Sequence, residues 1–199
     1  TEPTNFHDWG TDARARLVQN PLGLVHTGFI GSLADIWNDL LQVLAGTDKA
    51  DAATGRPAKP LWLAGHSLGG AVAELAADRL TAEKLGDVRF LYTYGKPAAG
   101  DGGYSAQLAA RLQDKLYRIV NNDDLVPRLP PAELGYSHAG RLCYLDSRGK
   151  LSFNPDQAFL TKAGLLGMID NLGKLVPVAV RDHFLAGYLD ALKALCGQP

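Results

Sequence analysis

The segment LWLAGHSLGG, residues 61–70, constrains the fold of this chain more than any other. Apolar residues that predict a short strand lead into GHSLG, which matches the pattern G-x-S-x-G with Ser67 at its centre. The Ala- and Leu-rich residues 67–80 that follow predict a helix. Because a serine in such a tight turn has little room around it, we expect Gly65 and Gly69 to be required sterically. This context predicts a nucleophile elbow, although small polar residues at the end of a strand often make only a turn.

Strands and helices alternate along the rest of the chain. Short apolar runs predict strands at 61–65, 89–94 and 117–121, and a hairpin of two strands at 141–146 and 150–154. Helical spacing of apolar residues predicts helices, the first of them capped by Ser32, at 33–45, 67–80, 104–116 and 180–196. This alternation predicts an α/β fold with a largely parallel sheet in a single domain. Ligands bind such sheets beyond the carboxyl ends of the strands.

Composition limits the classes of function that remain. The chain has 199 residues, enough for one sizeable core, and its 20 Lys and Arg nearly balance its 21 Asp and Glu. The net charge of -1 gives no general attraction to nucleic acid, so no nucleic-acid partner is predicted. The distant Cys143 and Cys196 either form one bridge or stay reduced, and their spacing is not that of a metal site, so no cofactor is predicted. The first residues, TEPTNFHDWG, do not predict a signal peptide, and no apolar run predicts a membrane-spanning helix.

A serine hydroxyl is a poor nucleophile near neutral pH and needs a neighbouring base. After an elbow of this kind the expected chain order is serine, then acid, then histidine. Only His138 and His183 follow Ser67. His183 stands at the start of the last predicted helix, where a loop can present it over the sheet, whereas His138 lies among turn residues only fourteen positions after Asp124. The spacing therefore favours His183 as the base.

Several carboxylates lie between the serine and this histidine, and Asp124 stands out among them. It follows the strand predicted at 117–121 and precedes the rigid turn at Pro127, which places its carboxylate at the catalytic edge of the sheet. The neighbouring Asp123 could substitute for it in part, but adjacent residues at a strand end point in different directions. We therefore predict Asp124 as the acid.

With these residues in place, the chain resembles the class 3 (fungal-type) triacylglycerol lipases of the α/β-hydrolase fold. The blocks that carry the resemblance, in the family's order, are VHTGF, GHSLGGAVAEL, YTYGKP, NNDDLVPRLPP, GYSHAG and DHFLAGYLDAL. The resemblance covers nearly all of residues 1–199 and implies one α/β-hydrolase domain: a mostly parallel central sheet flanked by helices, with a nucleophile elbow and a short lid. It also implies Ser67 as nucleophile, Asp124 as acid, His183 as base and the Leu68 N–H as half of an oxyanion hole.

The first residues align with the middle of a family motif. The resemblance implies that Thr1 is the second oxyanion donor and that Phe6 and Trp9 lie on the lid, where they meet lipid. It also implies that N-terminal strands of the same protein are missing from this sequence, which would make that segment a partner of the chain. A rival reading makes Thr1 an N-terminal threonine nucleophile. His66, inside the elbow, is grouped with the residues near the substrate and is expected to pack rather than to catalyse.

The resemblance implies a serine carboxylic ester hydrolase, most directly a lipase that cleaves acylglycerols at a lipid–water interface and is secreted. A phospholipase A1, a short-chain or feruloyl-type esterase and an acyltransferase use the same triad, so these remain open. A lipase-like binding protein without activity is the non-enzymatic alternative. The apolar residues 157–180 predict either a second flap over the site or part of the core or a self-interaction surface.

Overall fold

The computed structural model describes residues 16–47, 59–156 and 181–197. The strands and α-helices in chain order are β1 (Leu17–Asn20), β2 (Gly23–His26), α1 (Thr27–Thr47), β3 (Leu61–His66), α2 (Leu68–Ala82), β4 (Val88–Tyr94), β5 (Gly100–Asp101), α3 (Gly102–Leu112), β6 (Leu116–Asn121), β7 (Tyr136–Ser137), β8 (Arg141–Leu145), β9 (Leu151–Phe153) and α4 (Leu185–Leu195). Short 3-10 turns occupy Gln113–Lys115, Val126–Arg128 and Ala132–Leu134.

Five strands form the central sheet in the order β3–β4–β6–β8–β9. The first four are parallel, and β9 closes the sheet as the antiparallel partner of β8. The predicted α/β fold with a largely parallel sheet is therefore confirmed, and so is the hairpin. The carboxyl ends of β3, β4 and β6 meet at one edge, which brings the segments after His66, Tyr94 and Asn121 together.

A second sheet, which the apolar pattern did not predict, has the order β1–β2–β5–β7 and is antiparallel. Its strands have two to four residues, too short for a periodic signal. Asp101 joins this sheet to α3, because its Oδ1 accepts from Tyr104 N at 2.7 Å as the helix cap and from Leu24 N at 3.2 Å.

Three helices differ from their predicted boundaries. Helix α3 spans Gly102–Leu112 rather than 104–116, because Gln113–Lys115 form a 3-10 turn and Leu116 begins β6. Helix α1 begins at Thr27, so Ser32 is not its cap but an interior residue whose hydroxyl donates to the Gly28 carbonyl at 2.9 Å. The buried Phe29 extends the apolar face of α1 upstream. Helix α4 begins at Leu185 rather than 180, since Phe184 has extended dihedral angles. His183 therefore lies just before the helix, on the segment that crosses the sheet edge.

The core lies between the central sheet and helices α1 and α2. Helix α2 packs against β3 and β4, and its many alanines let it approach the sheet closely. Leu75 and Leu80 of α2 and Trp37 of α1 belong to the same buried cluster, and the Arg79 guanidinium lies 4.1 Å above the Trp37 ring. The nucleophile segment thus stands on the most densely buried helix of the described chain.

Strand β3 is one edge of the central sheet within the described residues, because it pairs there with β4 alone. The N-terminal strand expected beside it stays a prediction.

Within the described residues, Cys143 is buried and Cys196 is exposed, and neither forms a disulfide. No helix there is long and apolar enough to cross a membrane.

Candidate active site

Ser67 occupies a strained turn between β3 and α2, with φ 55° and ψ −130°. Non-glycine residues rarely adopt a positive φ, and such strain gathers at functional positions. A side chain at Gly65 would overlap the Gly69 carbonyl, so Gly65 is required as predicted. The same prediction is wrong for Gly69, where an added Cβ meets open space. The second constrained position is Gly70, whose Cβ would lie 3.0 Å from both the Gly65 carbonyl oxygen and Lys96 Cβ.

The structure brings together the three residues predicted as a catalytic triad. His183 Nε2 lies 2.9 Å from Ser67 Oγ. His183 Nδ1 lies 2.9 Å and 3.0 Å from the two oxygens of Asp124. Because a carboxylate only accepts, Nδ1 carries the proton and Nε2 is left to accept the serine proton. Asp124 is 1% exposed and His183 is 4% exposed, so the pair is shielded from water.

The Asp124 carboxylate is held by two further donors. Val126 N donates to Oδ1 at 2.9 Å, and the Tyr188 hydroxyl donates to Oδ2 at 2.6 Å. Tyr188 OH also accepts from Asn121 N at 3.1 Å. Burial, and next the Asp124 charge, raise the pKa of Tyr188 well above its usual value, so the phenol keeps its proton. Tyr188 was not predicted from the sequence, where its signal is a tyrosine five residues after His183 on an amphipathic segment.

The backbone of the histidine segment is bound to the strand end that carries the acid. Asn121 Nδ2 donates to the Asp182 carbonyl at 3.0 Å. The Asp182 carboxylate accepts from Asn122 Nδ2 at 2.8 Å and from Asp123 N at 3.4 Å. Asp182, which precedes His183, is therefore hydrogen-bonded to Asn122 and Asp123, which precede Asp124. The same set of hydrogen bonds positions both the Asp124 and the His183 segments.

His66 lies against the base rather than in an open substrate path. Its Nε2 donates to the His183 carbonyl oxygen at 2.7 Å, and the two rings lie 4.7 Å apart. Burial lowers the pKa of His66 first, and the nearby His183 lowers it further, although the bond to that carbonyl raises it. A neutral ring is what the site needs, because a second positive charge would oppose protonation of His183. Its assignment to substrate binding stays a prediction.

The other predicted side chains lie outside the triad. The Asp123 carboxylate faces Arg128 at 3.8 Å, and burial raises its pKa. The ring of His26 stacks on Phe29 at 4.1 Å, and its Nδ1 accepts from Gly28 N. His138 belongs to a buried polar cluster behind the elbow.

The remaining assignments concern the oxyanion hole, the lid and the flap. Leu68 is the first residue of α2, and N–H groups in the first turn of a helix have no acceptor within it. Thr1, Phe6, Trp9 and residues 157–180 lie outside the described residues. No group of three or more potential metal ligands occurs in the described ranges.

A largely parallel sheet whose strand–serine–helix turn carries a hydrogen-bonded Ser–His–Asp set defines the α/β-hydrolase class. The family model for Lipase (class 3) matches residues 3–134. The chain belongs to this family.

Individual relatives agree with the family. The secreted mono- and diacylglycerol lipase 1 of Fusarium solani is 38% identical over 122 residues, which are 61% of this chain and 34% of that protein. A lipase of Rhizomucor miehei is 37% identical over 119 residues, 58% of this chain and 31% of its own length. A solved structure described as a serine protease triad forming the catalytic centre of a triacylglycerol lipase superposes with a TM-score of 0.67, at 26% identity, over 90% of this chain and 66% of that one. The chain thus spans about a third of the length of these curated relatives.

Proposed function

We propose that this chain forms the active site of a serine carboxylic ester hydrolase that cleaves acylglycerols. The observation that carries the proposal is the 2.9 Å contact from His183 Nε2 to Ser67 Oγ, with Asp124 bonded to the other ring nitrogen. A histidine held in this tautomer can take the serine proton as the oxygen attacks. The name of the Fusarium solani relative supports acylglycerols as the substrate class.

The reaction assigns one step to each residue. His183 removes the proton from Ser67 Oγ, which attacks the ester carbonyl and forms a tetrahedral intermediate. The Leu68 N–H, and Thr1 if the predicted motif holds, donate to its oxyanion. His183 then protonates the leaving alcohol, and a water activated by the same ring releases the fatty acid from the acyl-enzyme. Asp124 keeps the ring oriented and balances its charge while it is protonated.

Exposed apolar side chains beside the triad support a lipid–water interface as the place of action. Leu125 follows the acid and is 47% exposed; Phe184 and Leu185 follow the base and are 41% and 47% exposed. Exposed apolar side chains around a buried polar site can contact the acyl chains of a lipid substrate as it moves from the lipid phase to the triad. The predicted lid residues Phe6 and Trp9 would extend this surface. Secretion is part of the proposal, because the Fusarium solani relative is named a secreted lipase.

The non-enzymatic alternative, a lipase-like binding protein, explains the site less well. Such a protein has no need for a serine at a positive φ or for a buried His–Asp pair, both of which cost stability. Phospholipase A1, feruloyl-type esterase and acyltransferase activities share the triad and differ only in what the pocket admits and what accepts the acyl group.

The first test is labelling with a fluorophosphonate, read by intact mass, on the chain and on Ser67→Ala. We expect one adduct on the chain and none on the variant. A folded chain that gains no adduct would contradict the proposal and favour the binding protein.

A substrate panel then distinguishes the enzymatic alternatives. It compares mono-, di- and triacylglycerols with phosphatidylcholine, a short-chain ester and a feruloyl ester, with and without an added alcohol. We expect acylglycerols to be hydrolysed fastest. Faster cleavage of the phospholipid or feruloyl ester, or capture of most acyl groups by the alcohol, would replace the proposed activity with the corresponding alternative.

A further inference from the structure

A fully buried ion pair lies behind the nucleophile elbow, outside the triad. Lys96 Nζ is 2.9 Å from Glu74 Oε2, and neither side chain is exposed by more than 1%. Lys96 follows β4, and Glu74 lies seven residues after Ser67 on α2. A Cβ added at Gly70 would lie 3.0 Å from Lys96 Cβ, so the aliphatic part of the lysine packs directly against the first turn of α2.

Two more acceptors complete the surroundings of this ammonium. Lys96 Nζ donates to the Pro97 carbonyl at 3.1 Å and approaches His138 Nδ1 at 3.5 Å. His138 Nε2 lies 2.7 Å from the Pro127 carbonyl. Since a carbonyl only accepts, Nε2 carries the proton and Nδ1 is free to accept from Lys96. Burial lowers the pKa of His138 well below its usual value, and the charges of Arg118 and Lys96 lower it further, so the ring stays neutral in this arrangement.

The last acceptor, the Pro127 carbonyl, belongs to residues 122–129, here called the acid loop because they contain Asp124. Pro127 follows Val126, whose N–H donates to Asp124 Oδ1 at 2.9 Å. Glu74, Lys96, His138 and the Pro127 carbonyl, here called the brace, therefore connect the helix that begins at the nucleophile to the turn that holds the acid. The Lys96–Glu74 contact is an ion pair, whereas the bonds from Lys96 to the Pro97 carbonyl and from His138 to the Pro127 carbonyl are directional and orient the ammonium and the ring.

Stability alone does not explain the brace. Removing two charges from water costs more than many buried pairs recover, and well-packed apolar residues in their place are often neutral or stabilising. Geometry is the property that an apolar replacement would lose. We infer that Glu74, Lys96 and His138 are positioning residues that set the distance between the Asp124 turn and the Ser67 elbow. The expected effect on the labelling rate rests on the proposed function, whereas the expected effect on the position of the acid loop does not.

The test replaces the ion pair with apolar side chains, Glu74→Leu/Lys96→Met. The control is Asp78→Leu/Arg111→Met, which removes an ion pair that also starts on α2 but reaches α3 instead of the acid loop. In the brace variant the buried Arg118 loses the counter-charge of Glu74, so the unfolding midpoint should fall, and fluorophosphonate labelling of the folded protein should slow by about 10- to 100-fold. The control should label at the parent rate. An unchanged labelling rate in a folded brace variant would overturn the inference.

Two single variants decide the matter if the double variant does not fold. His138→Gln keeps a donor and an acceptor and should retain most of the labelling rate, whereas His138→Leu should lose it. Equal rates in both would overturn the inference.

Amide hydrogen exchange of residues 122–129 gives a readout that needs no activity. Exchange there should accelerate in Glu74→Leu/Lys96→Met and His138→Leu, and not in the Asp78/Arg111 control. If the parent chain is not labelled at all, the proposed function fails, and the exchange rates still confirm or refute the brace.

Discussion

Gly95 directly follows β4 and lies against Asp124, His183 and Tyr188, so Gly95→Ala tests the geometry of the site directly. Its φ is +57°. An added Cβ would lie 2.6 Å from Asp124 Oδ2 and 3.0 Å from both His183 Nδ1 and Tyr188 OH. Ordinary contact starts at 3.4 Å, so the carboxylate has to retreat by about 0.8 Å, through overpacking that typically costs ~1–3 kcal/mol. A displacement of this size at a catalytic group is expected to slow the reaction roughly 100-fold.

Gly135→Ala is the matched control, because it separates the contact from the backbone strain. Gly135 has φ +85° and open space where its Cβ would lie. Both variants therefore bear the left-handed backbone cost of ~1–2 kcal/mol, and only Gly95→Ala bears the contact. Urea unfolding and the fluorophosphonate labelling rate measure the two effects. If Gly95→Ala is no less stable than Gly135→Ala and is labelled as fast, the reasoning about this site is refuted.

Three further predictions concern the groups around the triad. His66→Phe removes the donor to the His183 carbonyl and should slow labelling, whereas His66→Gln, with an amide nitrogen near the position of Nε2, should restore much of the rate; equal rates would show that only ring packing matters. Tyr188→Phe removes a hydrogen bond to a charged group, worth ~1.5–3 kcal/mol, and leaves a backbone N–H without its partner, so the urea midpoint should fall measurably. Burial lowers the pKa of His138 in the folded state below the unfolded-state value of 6.5. As pH falls below 6.5 the unfolded chain binds a proton that the folded chain does not, so the stability contributed by His138 is lost. The stability difference between the chain and His138→Gln should therefore narrow from pH 7.5 to pH 5 in urea unfolding, and a constant difference would contradict the assignment.

Much of the fold was predictable because its signals are local. The apolar run at Leu61–His66, the alanine-rich helix after it and the glycine pattern between them each depend on neighbours a few positions apart. The same holds for the choice of Asp124 over Asp123, which follows from alternate directions at a strand end. The short strands of the second sheet were missed, since two to four residues carry no period.

The sequence by itself therefore determined the alternation of strands and helices and the strand–turn–helix around Ser67, and it predicted that Ser67, Asp124 and His183 come together. Only the tertiary structure decided how these residues are held. Tyr188 reaches Asp124 across 64 positions, and His66 reaches the His183 carbonyl across 117. Such contacts follow from the spatial order of the strands in the sheet, because the carboxyl ends of β3, β4 and β6 lie at one edge. No pattern along the chain encodes that convergence residue by residue, so the bonds that orient a triad appear only once the sheet has formed.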